Sequence, residues 1–112
     1  MSVSFNGFNK NTATFKTTED ITAGGAVKIS ADATVAACSD GENFCGFALD
    51  GEGGYACVQL CGAVTAAYSG TAPALGYSKL AAAVGGVKAA ESGREYLVIA
   101  VDTAANTVTF LM

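Results

Sequence analysis

The chain has 112 residues, 51% of them apolar and only 14% charged, with 6 basic against 10 acidic side chains. That is one domain's worth of sequence with ample material for a core, and it excludes intrinsic disorder, which needs low hydrophobicity and high charge. The net charge of -4 excludes a protein that grips nucleic acid by charge, and the absence of His removes the commonest general base and metal ligand.

The chain opens on an Asn/Thr-rich segment that runs to Thr18. It lacks the basic start and continuous apolar run of a secretory leader, and no window nears the roughly 20 apolar residues of a membrane helix. The expectation is a protein that matures in a cytoplasm with its thiols reduced. Within this segment Phe5, Phe8 and Phe15 stand as apolar anchors on a polar stretch, beside Lys10 and Lys16. Residues 1–16 carry two lysines and no acid, whereas the remainder carries 4 basic and 10 acidic residues. Two readings stay open. The segment is an edge strand packed on its own domain, or an arm that docks onto a partner through Phe5, Phe8, Lys10, Phe15 and Lys16. The expected division is an arm or edge strand over 1–18 and one β domain over 19–112.

Short strands are predicted from there on. Ala13–Thr17 contains β-branched residues, and Val27-Lys28-Ile29 alternates apolar and polar as a half-buried strand does. Asn43–Leu49 reads as a strand covered on both faces. Asp50-Gly51-Glu52-Gly53-Gly54 reads as a five-residue hairpin loop before a strand at Tyr55–Leu60. Ala63–Tyr68, Glu95–Val101 and Thr107–Leu111 follow in the same manner, with Asp102–Asn106 as a second five-residue loop. Leu80–Val84 has helical propensity, but Gly85-Gly86 ends it at once.

The second half repeats the first. A shift of 51 residues sets Thr14 on Thr65, Gly25 on Gly76, Lys28 on Lys79 and Ile29 on Leu80. After one inserted residue, a shift of 52 sets Val35 on Val87, Phe44 on Tyr96, Asp50 on Asp102 and Val58 on Phe110. Two units of about 50 residues, 11–60 and 62–112, imply a pseudo-symmetric pair rather than a solenoid, which needs three or more repeats. The expected fold is all-β, a small sandwich or barrel of eight to eleven strands built from two similar units.

Chemistry-bearing motifs are scarce. Cys38, Cys45, Cys57 and Cys61 lack zinc-site spacing, so they are expected to be thiols, at least two of them buried as small hydrophobes. Asp50 and Asp102 could form a carboxylate dyad, but the stronger reading has each opening a loop and capping its backbone. No glycine-rich phosphate loop, nucleophile elbow or calcium loop occurs. No catalytic, cofactor or metal residue is expected.

One resemblance adds to this reading. Ala23–Ile29, then Cys45-Gly46-Phe47-Ala48-Leu49-Asp50, then Gly53–Val64 with its Val58-Gln59-Leu60-Cys61-Gly62 core, resembles the small capsid cement, or head decoration, proteins of tailed phages. The pattern recurs in Gly76–Leu80 and Val98–Asp102, although Val98 stands where Gly46 does and Ser78-Lys79 replaces an apolar pair. The resemblance covers residues 20–112. It implies a non-enzymatic virion protein of a phage or prophage, made in the bacterial host cytoplasm, binding the major capsid protein on the outer shell across capsomers, usually as a homo-oligomer. The competing reading is a small β-sandwich adhesin or carbohydrate-binding module. Such modules usually display Trp, which is absent.

Overall fold

A computed structural model describes residues 11–112, the Glu52 side chain excepted. The described residues form ten strands and no helix: β1 Asn11–Thr17, β2 Ala26–Ala31, β3 Thr34–Ala37, β4 Gly46–Glu52, β5 Tyr55–Cys61, β6 Ala63–Ser69, β7 Gly76–Ala83, β8 Gly86–Ala89, β9 Arg94–Asp102 and β10 Thr107–Leu111. They close into two five-stranded barrels, ordered β1-β3-β2-β4-β5 and β6-β8-β7-β9-β10. The fold is all-β and made of two similar units, as the repeat implies.

The two barrels share one topology, down to a parallel pair in each. Thr17 opposes Val35 between β1 and β3, and Tyr68 opposes Val87 between β6 and β8. Thr14 opposes Cys57 between β1 and β5, and Thr65 opposes Thr109 between β6 and β10. These pairs obey the shifts of 51 and 52 residues.

Two strand pairs depart from the expected alignment. Val27 opposes Ala37, and Leu80 opposes Ala89, so Val27 matches Leu80 and Lys28 matches Ala81 rather than Lys79. Val27 and Leu80 are both fully buried, and the side chain that must face inward sets the register. Between β4 and β5 a bulge skips Leu49, and between β9 and β10 a bulge skips Ile99. The bulges lie 50 residues apart, so Val98 takes the place of Ala48, Ala100 that of Asp50, and Asp102 that of Glu52. Asp50 and Asp102 are therefore not equivalent.

The cause is a difference in turns. Gly53 and Gly54, at φ 66° and 82°, make the β4–β5 connection in two residues, as a tight hairpin with two left-handed positions does. The β9–β10 connection takes four residues, with Asn106 at φ 56°. Asp50 thus belongs to a strand, not to the five-residue loop expected of it.

Each barrel has its own core. The first holds Ile21, Val27, Val35, Ala48, Ala56 and Val58, with Phe15 and Cys45 packed against them. The second holds Val64, Leu80, Ala82, Val87, Tyr96, Val98, Val108 and Phe110, together with Phe44 and Phe47 from the first unit. The stretch 38–45 carries this crossing. Backbone bonds join Gly41 N to Ala82 O at 2.8 Å and Ala82 N to Glu42 O at 2.9 Å. Asn43 Nδ2 donates to Ser92 O at 3.3 Å, and Lys88 pairs with Asp40 at 2.7 Å. Phe44 is not strand, as expected of Asn43–Leu49, but an aromatic plug in the neighbouring barrel.

Candidate functional site

The expected partner-binding residues divide. Phe5, Phe8 and Lys10 lie outside the described residues. Phe15 is half-buried on β1 against the first core, so its ring serves its own barrel. Lys16 is exposed, opposite Tyr55 on one side and Thr34 on the other. The described part of the arm, β1, lies between β3 and β5 of a closed barrel. It is neither a detached arm nor an edge strand there.

All four cysteines are thiols, and each is half-buried rather than buried. Cys57 and Cys61 lie on β5, separated by the register shift at Leu60, and Cys38 and Cys45 bound the 38–45 crossing. Asn11 Nδ2 donates to Cys61 Sγ at 3.0 Å. Burial, reinforced by the Glu42 carboxylate, pushes the Cys38 thiol up to about 11. Burial also raises Cys45. Neither is a thiolate at neutral pH, so neither is an activated nucleophile.

Glu42 is the polar centre of the crossing. Its carboxylate accepts from Lys28 Nζ at 2.6 Å and from Ser39 N at 2.6 Å. These bonds hold Glu42 below the ordinary carboxylate range and lift Lys28 above the ordinary amine value. Burial raises the Tyr96 phenol, while the Arg94 guanidinium, 5.5 Å from the ring centre, opposes the shift.

The outer surface keeps several large apolar side chains in water. Leu75, Tyr77 and Val84 are 69%, 72% and 91% exposed. Tyr77 lies near the start of β7 and Val84 just past its end, about 23 Å apart at the strand rise of roughly 3.3 Å per residue. Beside Val84 a cleft of about 430 Å³ separates the barrels, lined by small residues including Gly24, Gly25, Ala26 and Cys38. Among the described residues no cluster of three or more Cys, Asp or Glu side chains could hold a metal ion.

The two carboxylates once paired by the repeat have different settings. Asp102 Oδ1 accepts from the backbone N–H groups of Ala104 and Ala105 at 3.0 and 3.1 Å, as a loop-capping Asp does. Asp50 points outward from β4 into a surface depression. Sequence reasoning missed it because Asp-Gly-Glu-Gly-Gly reads as loop throughout. The Gly53-Gly54 pair was the signal for a shorter turn.

No protein-family model, curated protein or solved structure matches this chain.

Proposed function

We propose that this chain is a structural virion protein that decorates a phage or prophage capsid, binding the major capsid protein on the outer shell and bridging capsomers. The observation that carries the reading is the joining of two barrels through a shared core, with apolar side chains exposed at both ends of β7. Phe44 locks the barrels together, so force on one barrel passes to the other. The body measures 39 × 33 × 21 Å, and Tyr77 and Val84 give it separate points of attachment. Such contacts are small singly. Repeated over a shell, and joined by self-association into a homo-oligomer, they gain avidity. The resemblance of Gly46–Asp50 and Gly53–Val64 to the cement proteins supports the same reading.

Binding through the N-terminal residues narrows to Phe5, Phe8, Lys10 and the exposed Lys16, since Phe15 packs on its own barrel. The test is co-sedimentation with shells assembled from the major capsid protein of the phage or prophage proposed to carry this chain. Saturable binding that raises the melting temperature of the shells is the expected result. A protein that stays in the supernatant at every ratio refutes the proposal.

A further inference from the structure

The outer face of the first barrel holds a depression of about 560 Å³ lined by Thr14, Asp50, Gly51, Tyr55 and Cys57. That volume lies within the usual range for small-molecule sites, roughly 300–1,000 Å³. Strand register builds it. Thr14, Cys57 and Asp50 oppose one another across β1, β5 and β4. Two strand spacings separate Thr14 from Asp50, about 10 Å, with Cys57 as the floor between them. Tyr55 stands two residues from Cys57 on the same face of β5, and the residue is 57% exposed. Gly51 turns inward, where an added Cβ would meet Ile21 Cβ at 3.0 Å. The Asp50 carboxylate has no hydrogen-bond or ion-pair partner among the described residues.

The second barrel is an internal control. By register the same five positions are Thr65, Ala100, Val101, Thr107 and Thr109. There the Thr65 and Thr109 hydroxyls bond each other at 2.8 Å, and neither the carboxylate nor the aromatic ring is present. The same barrel closes without them, so the fold does not demand Asp50, Tyr55 or Cys57. What remains is a hydroxyl, an unpaired carboxylate and an exposed ring around one depression.

We propose that this depression binds a neutral sugar ring. The carboxylate and the Thr14 hydroxyl take the sugar hydroxyls, and the Tyr55 ring covers an apolar C–H face, since an amphipathic ring serves surfaces that are part apolar and part wet. Asp50 and the chain's net charge of -4 disfavour phosphates and other anions.

The test uses the isotope-labelled full chain alone, so it is independent of shell binding. Glucose, galactose, mannose, N-acetylglucosamine and maltose are titrated separately while backbone amide shifts are followed. At least one sugar is expected to move the amides of residues 14, 50, 55 and 57. Tyr55→Ala and Asp50→Asn should each weaken that binding about tenfold or more without changing the melting temperature, and Thr107→Ala should leave it intact. The proposal fails if none of the five sugars moves those amides, or if the movement survives both first-barrel substitutions unchanged.

Discussion

Phe44 lies face to face with Tyr96, ring centres 5.2 Å apart and planes 7° from parallel, although the two residues belong to different repeats. The Tyr96 hydroxyl donates back to Phe44 O at 3.5 Å. Phe47 and Phe110 complete the cluster, with centres 4.9 and 6.1 Å from Phe44. One repeat has thus lent an aromatic side chain to the core of the other. Pairs of this kind stabilise beyond the area they bury, and the loan joins the two barrels through one core.

Removing the plug should therefore cost more than an ordinary surface change. Phe44→Ala leaves a cavity beside Tyr96 and is expected to destabilise the protein by about 3–5 kcal/mol. Urea unfolding checks the magnitude, and hydrogen exchange should show the second barrel opening more readily. A loss below about 1 kcal/mol would mean that the barrels hold together without it.

The structure separates two truncations that look alike in sequence. Deleting residues 1–16 removes nearly all of β1, which pairs with β5 from Asn11 to Lys16. The first barrel should then unfold, seen as loss of its protected amides. Deleting residues 1–10 spares β1, so the first barrel should keep its protected amides, and on the proposed capsid role shell binding should weaken. A folded first barrel after the longer deletion would contradict the closed-barrel account.

Much of this was legible in the residues, and the failures have physical causes. Thr14 with Thr65, Val35 with Val87 and Val58 with Phe110 align in sequence and in register alike, because each sits at a matching place in a strand pair. Matching Asp50 to Asp102 weighed residue identity above turn length. The two-residue Gly53-Gly54 turn shifts the register and carries Asp50 into β4. Phe44 matched Tyr96 as one aromatic matches another. Sequence comparison alone does not distinguish equivalent residues from contacting ones, and here they touch. The depression around Asp50 was hidden for the same reason, since it arises from cross-strand register between residues far apart in the chain.

The half-buried thiols set an alkaline limit. The Cys38 thiol is raised from 9.0 to about 11 by burial. A raised folded value means that the stabilising contribution is complete below pH 9 and is lost as pH rises through 11. The melting temperature should fall over that interval, and fall less in Cys38→Ala. Site-resolved alkylation offers a second check. In the native protein Cys38 should react far more slowly at pH 8 than in denaturant, where all four cysteines should react without reductant. A count of two or none in denaturant would reveal disulfides.

At the acid end the sign reverses. Glu42 is held below its ordinary value of 4.5 by Lys28 and by the Ser39 N–H. Its contribution is present above that value and is lost as pH falls through the lower folded one. Wild type should melt above Glu42→Gln at pH 7, and the gap should close as pH falls below 4.5 and through the lowered folded value. A gap of equal size at both pH values would show that the Glu42 charge contributes nothing.

The central claim is that a pair of barrels joined through a shared core bridges capsomers on the outside of a shell. Cryo-electron microscopy of shells from the phage or prophage proposed to carry this chain, saturated with it, tests it most directly. The account predicts ordered two-lobed density on the outer surface, each copy touching two capsomers. Bare shells, or density confined to the interior or to single capsomers, would contradict it.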